Sequence, residues 1–402
     1  MKIAVLVGDG MGDYPVDELQ GLTPLQAADT PTLNRITYYG DARMVKTVPE
    51  NLPPGSDVAN MALMGYDAAK NYTGRAPIEA AGANIVMDEA DVAIRCNLVT
   101  ITDGKMIDYS AGHISTEEAE ELIISLQEEL GNEHMTFHCG VQYRHLLIWN
   151  NGSVDYSCTP PHEISDQKIR THLPSGREAE KLNYLMEKSK SVFLNHPVNK
   201  KREENGLLPA TQIWLWGHGK SMQLESYQSL YTLSGGVISA VDLLKGLANL
   251  SGLIAPEVKG ATGFIDTNYQ GKVDAAIKIL NQDDFVFLHI EAPDECGHLG
   301  DALLKKKAIE LFDHKVCKPM LEWLEGCGEE YLLILCMDHR TPVSLKGHTS
   351  DPVPMVALHG PVHHLDKEKS FDEFINNGIS QGMAYAWIQE LLKETSKKIP
   401  KE

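Results

Sequence analysis

Three short, unbroken apolar runs, Lys2–Gly8, Phe285–Ile290 and Tyr331–Cys336, each give way within a few residues to carboxylate or imidazole side chains. Runs of this length without alternation suit strands buried on both faces, as in a parallel sheet covered by helices. The first run ends in Asp9-Gly10-Met11-Gly12, the second leads to Asp294 and His298, and the third to Asp338-His339 with His348 a short loop later. Groups at the carboxyl ends of parallel strands meet at one sheet edge, where open α/β folds bind their ligands. The glycines after Asp9 permit a sharp turn while the carboxylate projects from the strand end. Carboxylate plus imidazole is a ligand mixture for Mn²⁺, Zn²⁺ or a similar ion. One such aspartate or histidine is ordinary in a turn or a packed surface. A core has no use for so many desolvated charges together, so the set predicts a two-metal site.

A nucleophile candidate lies between the first two runs. Pro53-Pro54-Gly55 marks a loop, and residues 58–64 read as the start of a helix with Ser56 as its N-cap. A hydroxyl there faces the positive end of the helix. Coordinated to a metal, it could ionise at neutral pH and attack a phosphoryl group. Cys296 stands between two of the ligand candidates, but Asp294 and His298 suit Mn²⁺ without it.

The formal charge of -20 argues against nucleic acid as a partner, because affinity for it comes from many cations neutralising phosphates. A phosphorylated acid as substrate would need local positive charge, from two divalent ions and a few arginines. Arg75, Arg95 and Arg144 are the candidates; Arg95 interrupts an otherwise apolar strand, which is costly unless it has a partner. Lys220, after a Gly-His-Gly turn, is a fourth. His113, His162 and His359 lack any grouping that would lift them above surface residues. No stretch is apolar and long enough to span a bilayer. The seven cysteines are scattered, which predicts reduced thiols in a cytoplasmic protein. The oligomeric state has no signature.

In organisation, 402 residues suffice for a large α/β core with a smaller insertion. The core is expected in residues 1–71 and 184–402, and an α+β cap in 72–183. In the core, residues 24–34 begin a helix in their second half. In the cap, residues 91–100 read as a strand, 115–126 as a capped helix, and 135–149 as two strands bent at Gly140. Residues 178–190 are expected as a linker helix and 195–204 as an exposed connection. The strand at 212–216 is expected to return to the main sheet, followed by helix at 237–248, a turn into a strand at 261–264 and helix at 271–280. Residues 383–398 read as an amphipathic helix packed on that sheet. None of the glycine turns fits a nucleotide-binding pattern.

Several motifs occur in an order that carries a family resemblance: residues 7–13, Pro53 to Asn60, Thr73-Gly74-Arg75-Ala76-Pro77-Ile78-Glu79-Ala80, residues 291–298, Met337-Asp338-His339, and residues 348–354. Together they resemble the archaeal-type 2,3-bisphosphoglycerate-independent phosphoglycerate mutases of the alkaline phosphatase superfamily. The resemblance implies a three-layer, alkaline-phosphatase-like α/β core with a mostly parallel sheet, plus the inserted cap. It implies one metal held by Asp9, Ser56, Asp338 and His339, and another by Asp294, His298 and His348. Mn²⁺ is the first expectation, with Mg²⁺, Co²⁺ and Zn²⁺ also compatible. Ser56 would take the phosphoryl group of 3-phosphoglycerate and return it to the 2-hydroxyl, while cap closure keeps water away. A bacterial branch of this family has been proposed as a homoserine kinase, and residues 214–220 and 108–113 look more like its members; His113 stands where archaeal relatives are expected to carry Arg, while Arg340 departs from the Asp-His-Pro-Thr-Pro form of other bacterial relatives. A metal-dependent phosphatase is a further alternative; a sulfatase is not favoured, because Ser56-Asp57-Val58-Ala59-Asn60 lacks the sulfatase pattern.

Overall fold

The computed structural model describes residues 1–362 and 369–398. The chain divides into two compact units, residues 1–72 with 224–402, and residues 73–223. Strands β1 (Lys2–Gly8) and β2 (Asp41–Val45) precede the second unit. That unit holds β3 (Val92–Thr102), β4 (Lys105–Asp108), β5 (Met135–His138), β6 (Arg144–Trp149), the short β7 (Tyr156–Ser157) and β8 (Ser175–Gly176), and β9 (Gln212–Lys220). The first unit resumes with β10 (Gly235–Ile238), β11 (Phe285–Ile290), β12 (Tyr331–Cys336) and β13 (Val353–Gly360).

The first unit is built on a six-stranded sheet in the order β10-β11-β1-β12-β13-β2. Its strands β10, β11, β1 and β12 run parallel, and β13 alone runs against its neighbours. The three apolar runs are the adjacent strands β11, β1 and β12, and every residue in them except Lys2 is buried. Gly8 pairs with Ile290 and Val7 with Cys336, so the three carboxyl ends finish level. This register brings distant sequence segments to one edge.

Several expectations need correction. Residues 237–248 are not one helix: β10 comes first, and the helix begins at Asp242. No strand forms at 261–264. The helix expected to start in the second half of residues 24–34 does so, as Pro31–Tyr39, and a short unanticipated helix, Pro24–Ala27, precedes it. The last helix, Ala384–Ser396, buries Trp387, Ile388, Leu391 and Leu392; it packs beside the Ser56–Leu63 helix and meets the sheet at its β2 edge, where the Arg43 guanidinium lies 4.2 Å over the Trp387 ring. Each such side chain contributes about 1.5–3 kcal/mol when fully buried.

In the second unit, β3 pairs antiparallel with β4, β6 and β9, and β5 flanks β6. The expected return of residues 212–216 to the main sheet is therefore wrong. β9 pairs with β3 along most of its length, which moves the second boundary from 183/184 to 223/224. The helix Ala179–Phe193 is no linker; Leu182, Leu185 and Met186 join the core of this unit. Residues 197–204 form a helix with Arg202 buried, rather than an exposed connection. The helix Thr116–Leu130 opens with a capping box in which Ser115 and Glu118 satisfy each other's backbone N–H. No helix among the described residues is long and apolar enough to cross a membrane.

Candidate active site

Asp9 leaves β1 and enters a turn whose Gly10 has φ +59°. A Cβ on Gly10 would lie 2.5 Å from Asp294 Oδ1 and 2.7 Å from Asp294 Cα, so no other residue fits there without moving the site. After β11 the chain turns directly into the helix Ala292–Leu299. Asp294 and His298 stand four apart on it, and so share one face. Gly297 lets this helix meet the Thr341 carbonyl, which a Cβ would approach to 2.4 Å. The loop after β12 carries Asp338 and His339, both fully buried, and then His348.

These groups converge. Asp9, Asp338 and His339 present ligand atoms within 4.8 Å of one another, as do Asp294, His339 and His348. His298 Nε2 lies 3.2 Å from Asp294 Oδ2 and 3.0 Å from His348 Nε2. Ser56 Oγ is 3.1 Å from His339 Nε2. The structure thus brings together all seven predicted ligands, with His339 shared by the two groups. One local detail differs from expectation: Gly55 is the N-cap, and Ser56 is the first residue of the helix Ser56–Leu63. Its hydroxyl makes no capping bond and faces His339 instead.

Supporting contacts fix this arrangement. Asp338 Oδ1 accepts from the backbone N–H groups of Gly10 (2.9 Å) and His339 (2.8 Å), and Oδ2 from Asn60 Nδ2 (2.9 Å). Thr341 Oγ1 donates to Asp294 Oδ1 and lies 3.2 Å from His339 Nδ1. With its one hydrogen given to Asp294, the hydroxyl accepts from Nδ1–H. A neutral His339 therefore keeps its Nε2 lone pair toward Ser56 and the carboxylates, and burial lowers the pKa of this ring. Lys305, fully buried, spends its three hydrogens on Gly12 O, Asp13 Oδ2 and Thr341 O, each at 2.8 Å. That ties the Asp9 turn to the His339 loop.

The electrostatics call for a cation. Burial, and then repulsion from Asp338 and Asp294, push the Asp9 carboxyl well above the usual range. Asp9 Oδ1 is buried without a hydrogen-bond partner. Burial opposes ionisation of Asp294 too, yet hydrogen bonds from His298 and His348 hold it well below the usual range. The Asp294 hydrogen bond, working against burial, raises His298 to about 9. Buried carboxylates, imidazoles and an orphaned oxygen are the donor set that a pair of divalent ions would satisfy. Cys296 is buried, and its thiol is pushed up to about 12 by burial, so it offers no thiolate.

The second unit gathers arginines by strand alternation. Val92, Ile94, Cys96 and Leu98 of β3 enter the core on one face, while Ala93 packs with Ala76 and Ala80 of the helix Arg75–Gly82 on the other. Period two puts Arg95 on the Ala93 face. There Glu79 takes Arg95 Nε at 2.9 Å and Arg75 Nε at 3.0 Å, and the Arg95 guanidinium lies 4.0 Å over the Trp216 ring. Arg144 shares this face through Leu146 and Ile148, with its guanidinium 5.2 Å from the Tyr143 ring. Burial, and after it the neighbouring Arg75 and Arg144, lower the pKa of Arg95 against the pull of Glu79. His162 also belongs to this group, in ring contact with Trp216 and Tyr109, which its sequence surroundings did not suggest. Lys220 does not join them: it pairs with Val92, whose side chain lies on the opposite face.

Residues not anticipated from the sequence are Asn60, Thr341, Lys305 and His289. Asn60 follows Ser56 by one helical turn and was findable by spacing. His289 sits inside an apolar strand, where period and composition give no warning.

The chain is similar to known proteins over nearly its whole length. Residues 39–199 match the family model of 2,3-bisphosphoglycerate-independent phosphoglycerate mutase. A protein of that name from Methanosarcina barkeri is 49% identical over 374 residues, covering 93% of this chain and 94% of the relative. One from Geobacter sulfurreducens, described as a probable such mutase, is 48% identical over 93% of this chain and 94% of the relative. Among solved structures, the cofactor-independent phosphoglycerate mutase of Thermoplasma acidophilum is 26% identical with a TM-score of 0.65, covering 98% of this chain and all of that one. A Pyrococcus horikoshii protein is 25% identical with a TM-score of 0.82, covering 100% of this chain and 98% of that one. On likeness that spans nearly its whole length, this chain belongs to the 2,3-bisphosphoglycerate-independent phosphoglycerate mutase family.

Proposed function

We propose that this chain interconverts 3-phosphoglycerate and 2-phosphoglycerate, without 2,3-bisphosphoglycerate, through a phosphoserine at Ser56. The observation that carries the reading is the Ser56 hydroxyl, free of capping duty at a helix start and 3.1 Å from His339 Nε2 among buried aspartates. Two divalent ions, Mn²⁺ first, would be held by Asp9, Ser56, Asp338 and His339 and by Asp294, His298 and His348, and would supply positive charge and acidify the hydroxyl.

Ser56 Oγ forms a bond to phosphorus as the bond from phosphorus to the 3-oxygen breaks, and the serine proton ends on the glycerate 3-hydroxyl. Glycerate then turns, its 2-oxygen attacks phosphoserine, and the 2-hydroxyl proton returns to Ser56. The N-terminal turn of the Ser56–Leu63 helix favours the added negative charge. Asn60 and Thr341 hold Asp338, Asp294 and His339 in place during both transfers. For Arg75, Arg95 and Arg144 we propose contacts to the substrate anion, since a guanidinium forks onto a carboxylate or phosphate. The negative net charge favours a small anionic substrate that the site neutralises locally, not a nucleic acid. Free cysteines, four of the seven buried, accord with a cytoplasmic setting.

Phosphorus NMR of manganese-loaded protein with 3-phosphoglycerate alone, stripped of manganese before acquisition, tests the reading. Conversion to 2-phosphoglycerate without inorganic phosphate is expected. Released phosphate would mean a phosphatase, and an unchanged spectrum would sink the mutase reading and bring homoserine kinase forward.

A further inference from the structure

A second set of charged groups stands behind Asp9 and has no part in the reaction above. His289, on β11 beside Val7, is fully buried. Its Nε2 lies 3.3 Å from Asp9 Oδ2 and its Nδ1 3.4 Å from Glu291 Oε1. Neither contact is aligned as a hydrogen bond, so the ring is held between Asp9 and Glu291 by its place in β11. Glu291 is itself immobilised: Lys272 Nζ reaches Oε2 at 2.5 Å, and Ser239 Oγ and the Ala240 N–H both donate to Oε1 at 2.7 Å. Lys272, also fully buried, donates again to the His289 carbonyl at 3.2 Å. A lysine, a glutamate and a histidine buried together are costly unless they serve one another or a neighbour. The chain of contacts ends on Asp9, whose other oxygen, Oδ1, has no partner and lies 3.6 Å from His339 Nε2.

We propose that His289 is a positioning residue: pinned by the Lys272–Glu291 pair, it engages Asp9 Oδ2 and so fixes Oδ1 toward Asp338 and His339. This rests on the reading that Asp9, Asp338 and His339 hold a divalent ion. An aspartate with one oxygen occupied presents the other in one direction only. Groups behind a ligand tune metal affinity in this way without touching the ion.

The test is Mn²⁺ titration of the metal-free full chain, followed by electron paramagnetic resonance, alongside the melting temperature of the metal-free protein. Wild type should bind two ions, and Asp9→Asn should weaken one of them severely. His289→Leu is expected to weaken that same ion by roughly 10- to 100-fold and to leave the other unchanged. His289→Gln, whose amide N–H can reach Asp9, should recover most of the loss. If His289→Leu binds both ions like wild type, or weakens both alike while lowering the metal-free melting temperature, the positioning role is overturned. Should the leucine variant fail to fold, Glu291→Gln carries the same test, with weakening of the Asp9 ion expected and unchanged affinity overturning the role. If Asp9→Asn itself leaves both ions tight, the ligand reading has failed, and the role of His289 falls with it.

Discussion

The carboxylate–histidine cluster of the first unit and the arginine face of the second are assembled on opposite principles. The first hangs on the level ends of three buried strands, and its carboxylates are already stripped of water: Asp338 is fully buried, and Asp9 and Asp294 nearly so. Asp294 has His298 and His348 as partners, but Asp9 faces repulsion from Asp338 and Asp294 and is left with an orphaned oxygen. The arginine face carries its own counter-ion in Glu79, shared by Arg75 and Arg95, while Arg144 stays exposed beside Tyr143. A preorganised, unbalanced site should fail all at once when one member is removed. The arginine face, with one carboxylate among three guanidinium groups and with Arg75 and Arg144 partly solvated, should fail by degrees, because each guanidinium offers its own separate contact to an anion.

The sharpest break between them is Ser56→Ala. Turnover should fall by roughly 10⁴-fold or more, as removal of a nucleophile does elsewhere, with little change in thermal stability; near-normal turnover would end the phosphoserine route. Asp338→Asn comes next. It keeps the shape that accepts from Gly10 and His339 but removes a ligand charge. Manganese content should drop, with a loss of affinity beyond the roughly 10- to 100-fold of a supporting residue; retained stoichiometry measured by atomic absorption would contradict the assignment.

Arg95→Met should act by degrees. Loss of a charge-assisted bond is worth about 1.5–3 kcal/mol, so KM for 3-phosphoglycerate should rise roughly 10- to 100-fold with kcat falling less. A collapse of kcat like that of Ser56→Ala would erase the contrast between the two regions. The smallest effect is a pH dependence confined to the second unit. Burial pushes the His145 ring down to about 3, and its Nδ1 accepts from Gly140 N–H at 3.0 Å, which also favours the neutral ring. The unfolded chain binds a proton at His145 near pH 6.5 and the folded one does not. The penalty is absent above pH 6.5, and stability is lost as pH falls from there toward 3. Between pH 7 and pH 5 the loss should be about 2 kcal/mol. Denaturant melts of His145→Gln, whose amide oxygen can still accept from Gly140, should lack that part of the acid sensitivity. An equal loss in both proteins would assign it to other groups.

Both regions were partly legible in the sequence, to different depths. The carboxylate–histidine cluster was readable because its members follow apolar runs that only a doubly covered strand explains, and the runs at 2–8, 285–290 and 331–336 are strands with those bounds. Arg95 was readable as a charge in an apolar strand, but its partners were not. Glu79 and Trp216 reach it through helix packing and the β3–β9 register. The same register removed Lys220 from the group and carried β9 out of the main sheet. His289 left no trace, because a histidine within a run of Phe, Val, Leu and Ile looks like any satisfied core residue until its neighbours are known.

The sequence by itself determined the local facts: which runs become buried strands, that ligand-type residues follow them, that Ser115 caps a helix, and that a helix starts near Ser56. These depend on residue period, turn chemistry and end capping, which act over a few neighbours. Only the tertiary structure decided that His339 lies within reach of both carboxylate–histidine groups, that His289 stands behind Asp9, and that the three arginines share one face. Those outcomes depend on which strands pair, in what register, and which helices cover them. Such choices are made between segments from tens to hundreds of residues apart, where composition and spacing carry no signal.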